Sequence, residues 1–116
     1  MKSSRIPLPL LVIVFAHIVL PLAYGGPSPS TQPLAAITIE NFAFEPRELT
    51  VSPGTTVTWK NADDVPHTAT SKDEPQTFDS GPIDTDESYS FTFNKTGTYA
   101  YYCKVHPHMT GVINVK

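Results

Sequence analysis

Gly97-Thr98-Tyr99-Ala100-Tyr101-Tyr102-Cys103-Lys104-Val105-His106-Pro107-His108-Met109-Thr110-Gly111-Val112-Ile113-Asn114-Val115 is the stretch on which the reading of this chain turns. Thr98 to Cys103 alternates, with Tyr99, Tyr101 and Cys103 in phase. Gly111 to Val115 is a second short strand-like run. If the Tyr99–Tyr101–Cys103 face points inward, the thiol sits at the core end of a strand, away from bulk water. The loop between the two runs concentrates scarce residues. It holds the single cysteine, two of the four histidines, and the one methionine besides the initiator.

The same period of two recurs upstream. Ala36 to Glu40 alternates, and Glu48 to Val51 is a second short strand. Ser52-Pro53-Gly54 is a turn signal. Thr55 to Lys60 places Val57 and Trp59 on one face. Asn61 to Pro66 is a polar turn, and His67 to Thr70 is briefly extended. Lys72 to Pro82 is irregular. Ser88 to Phe93 sets Tyr89, Phe91 and Phe93 on one side, and Asn94 to Gly97 turns the chain into the quoted stretch. No segment sustains a helical period, and no repeat of 20 to 50 residues exists to suggest a solenoid or propeller. The expected class is all-β, a two-sheet antiparallel sandwich of about seven to eight strands.

The chain has 116 residues, room for one small domain. Residues 1–25 read as a secretory signal. Lys2 and Arg5 form its positive start, Leu10 to Leu22 is mostly apolar, and Ala23-Tyr24-Gly25 offers small residues for cleavage. The apolar run is short for a membrane span of about 20 residues, so no membrane insertion is expected after cleavage. The rival is an anchor left uncleaved. Residues 26–33, Pro- and Ser-rich, read as a linker. The folded domain is then 34–116, about 80 residues with a thin core. One cysteine allows no internal disulfide, so a metal tie between distant segments is the available staple.

Removing residues 1–25 takes away two of the 8 basic residues and none of the 11 acids, which leaves a formal net charge of −5. That balance argues against a nucleic-acid partner. Asp73, Glu74, Asp79, Asp84, Asp86 and Glu87 read first as a solvated loop and strand edge. The functional reading is a docking patch for a basic partner.

Cys103, His106 and Met109 are spaced Cys-x-x-His-x-x-Met, and His67 offers a second imidazole. Two His, one Cys and a weak Met form the donor set of blue copper. Thiolate and thioether suit Cu(I), and imidazole suits both oxidation states. A rigid compromise between them favours electron transfer over turnover, so no enzyme activity is expected. A hydrolytic zinc site needs an open position for water, and this set leaves little room for one. A cysteine protease pair lacks an orienting partner here, and Cys-x-x-Cys-His haem attachment lacks its second cysteine. His108 reads as exposed at the metal rim. Of Tyr101 and Tyr102, one is expected in the core and one at the surface, neither required as a redox relay.

These residues resemble the cupredoxins, and most closely the amicyanin-like branch of the plastocyanin family. The carrying motifs are Phe44-x-Pro46, Val51-x-x-Gly54-x-x-Val57-x-Trp59-x-Asn61, Pro66-His67, Phe78-x-Ser80-Gly81 and Gly97-x-Tyr99-x-Tyr101-x-Cys103-x-x-His106-Pro107-x-Met109-x-Gly111. They run from Phe44 to about Val115. The two-residue gap between His106 and Met109 looks like amicyanin.

The resemblance implies a Greek-key sandwich with one copper ion at its end. His67, Cys103 and His106 would be equatorial ligands and Met109 the axial one. It implies an electron carrier whose redox partner proteins dock at the His106 face. The export signal points to the periplasm in a bacterium, and the carrier is expected to be a monomer. A copper module for storage, delivery or sensing would use the same ligands, and a domain with a vestigial site is a third reading. One departure is Thr68, where many relatives have an Asn that ties the two ligand loops together. A hydroxyl makes fewer hydrogen bonds, so loop rigidity is expected to differ.

Overall fold

In a computed structural model the chain is described continuously over residues 33–116, and at 3, 4, 7, 9, 12–14 and 16 before that. The expected export signal and linker lie mostly outside the described residues. Among those described, no helix is long and apolar enough to cross a membrane.

Among the described residues, eight strands form two four-stranded sheets. They are β1 (Leu34–Glu40), β2 (Ala43–Glu45), β3 (Glu48–Val51), β4 (Thr55–Asn61), β5 (Thr70–Ser71), β6 (Ser88–Phe93), β7 (Gly97–Tyr102) and β8 (Thr110–Val115). One sheet runs β2-β1-β4-β6 and the other β3-β8-β7-β5. The all-β sandwich is as expected. The sheets, however, are mixed: β1 pairs with β4 in parallel, and so does β3 with β8. The chain leaves the first sheet after β2, runs β3 in the second, and returns as β4 beside β1. Alternation in a sequence reports which face a residue occupies and is blind to strand direction.

The predicted faces hold. β4 buries Thr55, Val57, Trp59 and Asn61, and β8 buries Gly111, Ile113 and Val115. Between the sheets these meet Ile37, Ile39, Phe44, Phe93 and Tyr101. Trp59, with no exposed surface, stands edge-on to Tyr101 at 5.5 Å and lies 5.4 Å from Phe78. On the outer face the ladder is polar: Thr56 pairs with Thr92 and Thr58 with Ser90, hydroxyl to hydroxyl at 2.7 Å.

Two glycines are required for different reasons. Gly54 turns the chain from β3 to β4 at φ 90°. Gly111 is needed for space. A Cβ there would lie 2.6 Å from Cε1 of Tyr101 and nearer still to the ring's Cζ and hydroxyl. The re-entry into β8 thus depends on room for the Tyr101 ring and not on a special backbone angle.

Candidate metal centre

The site is assembled from two stretches of the chain, the turn after β4 and the loop after β7. β4 ends at Asn61, whose buried amide donates to Val65 O at 2.8 Å and Ile83 O at 2.9 Å. Its Oδ1 accepts from Asp63 N at 2.9 Å. A buried amide so satisfied fixes the 61–66 turn. That turn delivers His67, whose backbone bonds Ile83 in both directions at 3.1 and 2.7 Å. The His67 ring has no exposed surface.

The second half comes from the loop after β7. Cys103 is buried, and its N–H donates to Met109 O at 3.1 Å, while Met109 N donates to His106 O at 2.9 Å. These bonds fold the loop back on itself, as the Cys-x-x-His-x-x-Met spacing requires. Met109 is buried beside Cys103 at the loop's return, and His106 is half-buried.

Three donor atoms converge. His67 Nδ1 and His106 Nδ1 are 3.2 Å apart, and Cys103 Sγ lies 3.8 Å from the first and 3.9 Å from the second. A triangle with those edges has a circumradius of about 2.1 Å, close to the roughly 2.0–2.3 Å of zinc bonds to imidazole nitrogen and thiolate sulfur. One ion fits between them. Thr68 N–H points at the same sulfur from 3.3 Å.

Two residues outside the expected set organise the site. Asp63 Oδ2 lies 2.8 Å from His67 Nε2, the ring atom facing away from the donor triangle. The same carboxylate accepts Asn41 N–H at 2.8 Å and Phe42 N–H at 3.0 Å. Burial opposes ionisation of Asp63. The hydrogen bonds from Phe42, His67 and Asn41 outweigh it and hold the carboxyl below the usual range. Phe42 in turn stands edge-on to both imidazoles, 5.3 Å from His67 and 5.0 Å from His106. Asn41 and Phe42 form the β1–β2 turn with φ of 52° and 57°, the geometry of a two-residue hairpin with both residues left-handed. A carboxylate four residues before a candidate ligand was a readable signal for Asp63. Nothing in the sequence marked Phe42.

Other expectations fall into place around this centre. His108 is exposed, its ring 6.3 Å from that of His106. Tyr101 is core and Tyr102 half-buried, one inside and one near the surface. Three of the clustered acids have local partners: Asp73 takes the amide and hydroxyl of Thr77, Asp79 pairs with Lys104, and Glu87 accepts the N–H of Asp84 at 3.2 Å. Lys104 is the main reason Asp79 ionises below the usual carboxylate range, against a smaller opposing effect of burial.

The family of copper binding proteins described as plastocyanin/azurin matches residues 32–116. The chain belongs to this family. Among its relatives are the amicyanins of Paracoccus versutus, 33% identical over 81 residues (67% of this chain, 61% of that protein), and of Paracoccus denitrificans, 34% over 107 residues (82% of each). The match thus spans less than two thirds of the first relative's length. Among solved structures, a purple cupredoxin from Nitrosopumilus maritimus aligns with a TM-score of 0.66 at 35% identity, over 71% of this chain and 99% of that one. A Cu(I) amicyanin variant aligns with a TM-score of 0.68 at 30% identity, over 72% and 82%. The expected cupredoxin character, the amicyanin likeness and copper as the cofactor are therefore established together. The His–Cys–His cluster of this family member is set to hold a single ion.

Proposed function

We propose that this protein is a small exported blue copper protein that carries single electrons between redox partners by Cu(II)/Cu(I) cycling. The observation that carries the reading is the donor triangle of His67 Nδ1, His106 Nδ1 and Cys103 Sγ, sized for one ion. With Met109 as a weak thioether donor beside them, the set would be that of electron-transfer copper. When bound, copper supplies a one-electron couple. The chain's own part is to keep the donors still. Asn61 and Ile83 fix the His67 backbone, Asp63 holds the far edge of its ring, and Thr68 N–H bonds the sulfur. Donors held by folded backbone rearrange little between oxidation states, which favours relay over turnover. Solved amicyanin structures described as Cu(I), reduced and oxidised forms support a two-state copper centre in such relatives.

His106 is the half-buried ligand and the electron's route to the surface, flanked by the exposed Phe42 and Val105. A redox partner docks on that face, and the carrier itself is a monomer. Residues 1–25 direct export to the periplasm, 26–33 are the linker, and 34–116 are the copper domain. No side chain at the centre is assigned to turnover of a substrate.

Adding Cu(II) to the purified protein tests the core of this reading. An intense visible copper–thiolate band is expected, abolished in Cys103→Ser. A colourless product, or colour retained in that variant, overturns the ligand assignment. Rapid reversible exchange with a redox dye separates a carrier from a copper store.

A further inference from the structure

Thr68 clasps Cys103 from two sides. Its N–H donates to the sulfur at 3.3 Å, and its hydroxyl accepts the N–H of Lys104, the next residue in the loop, at 2.8 Å. Thr68 Oγ1 also lies 3.0 Å from Thr70 Oγ1, and Thr70 Oγ1 lies 3.0 Å from Asp79 Oδ1. Thr68 and Thr70 are buried, 3% and 0% exposed.

The two ends of this chain fix its direction. A backbone N–H only donates and an ionised carboxylate only accepts. Thr70 therefore gives its proton to Asp79 and must accept from Thr68, which in turn accepts from Lys104. All links are polarised the same way, an arrangement in which neighbouring hydrogen bonds strengthen one another. Lys104 Nζ closes the ring on the other oxygen of Asp79. The carboxylate thus bears, through two buried hydroxyls, on the Cys103–Lys104 peptide and on the residue that donates to the sulfur.

We propose that Asp79 is a positioning residue of the metal centre, acting on the Cys103 sulfur through the hydroxyls of Thr70 and Thr68. The inference rests on Cys103 being a copper ligand. It assigns to a threonine pair and an acid the tie between the two ligand loops. Hydrogen bonding around a ligand sulfur sets its basicity and the poise of the metal, so loss of the relay changes the centre without removing a ligand.

The test uses the full chain and the variants Thr70→Val, Thr70→Ser and Asp79→Asn. In metal-free protein, amide hydrogen exchange at Lys104 is expected to speed roughly tenfold in Thr70→Val and Asp79→Asn, the scale of one weakened hydrogen bond. It stays unchanged in Thr70→Ser. After Cu(II) addition, the same two variants are expected to shift both the charge-transfer band and the reduction potential, and Thr70→Ser to restore both. Unchanged exchange in Thr70→Val and Asp79→Asn overturns the relay. Faster exchange with band and potential unmoved overturns its action on the sulfur and leaves only a structural clasp. If wild type takes up no copper, the ligand assignment fails, and Lys104 exchange alone still decides whether the relay exists.

Discussion

Asp63 Oδ2 lies 2.8 Å from His67 Nε2, so one exposed turn and one buried imidazole share a carboxylate. Because the ionised carboxylate can only accept, Nε2 must carry the proton, and the Nδ1 lone pair is left facing Cys103 and His106. Asp63→Ala removes that constraint without touching the donor triangle. A loss of about ten- to a hundredfold in copper affinity is expected, the usual effect of deleting such a partner. Competition with a chelator of known affinity measures it. Unaltered affinity would show that the turn and the ring are held by backbone alone.

The Tyr101 ring offers a second test, in the core. Its hydroxyl and the nearby Trp59 Nε1 are buried with no hydrogen-bond partner of acceptable geometry among the described residues. A buried, unsatisfied hydroxyl is a liability. Tyr101→Phe is therefore expected to leave stability unchanged or raise it by up to about 1 kcal/mol. Gly111→Ala drives a methyl into the same ring and is expected to cost about 1–3 kcal/mol. Urea unfolding of the two variants gives both numbers. A clear loss in Tyr101→Phe would mean the hydroxyl is satisfied after all.

Much of this was legible in the sequence for identifiable reasons. The inward phase of Val57 and Trp59, and of Tyr101 and Cys103, follows from a period of two that side chains must obey. The loop spacing from Cys103 to Met109 left one way to gather the donors. What escaped were relations that local pattern does not encode. The parallel β1–β4 pairing depends on where the chain crosses between sheets. Strand β2, three residues long, is too short to show a period. Phe42 sits in a left-handed turn that bulky residues rarely adopt, so turn chemistry pointed away from it. Thr68 read as a weaker tie than Asn because Thr70 and Asp79 had no visible link to it.

Acid provides a third test, with a definite sign. Asp63, Asp73 and Asp79 are all held below the ordinary aspartate value of 3.8. For Asp73 the hydrogen bonds of Ser71 and Thr77 push it down to about 2. A carboxyl with a depressed folded pKa stabilises the fold above its unfolded value and loses that contribution as pH falls through the folded one. The urea midpoint of metal-free protein is thus expected to be level above about pH 5 and to fall from about pH 4 toward pH 2. Asp73→Asn flattens part of that slope, most visibly at its acid end. A midpoint that drops equally in this variant would place the acid sensitivity on other groups.

Phe42 carries the last prediction, because its contacts and its backbone pull in opposite directions. At φ 57° a phenylalanine stores strain of about 1–3 kcal/mol. The turn is held there by the two amides that Asp63 accepts. The ring is 46% exposed, so little apolar burial offsets the strain. What the ring does gain is edge-on contact with both imidazoles, at 5.3 and 5.0 Å, each worth about 0.5–1.5 kcal/mol. Phe42→Gly relieves the strain and deletes both contacts. The metal-free variant is therefore expected to be as stable as wild type or more so. The copper-loaded variant is expected to give up its ion to a chelator roughly tenfold faster, since the two ring contacts that hold the imidazoles together amount to about 1–3 kcal/mol, on the order of one decade. A variant that loses stability without metal, yet releases copper at the wild-type rate, would make Phe42 a packing residue and remove it from the centre.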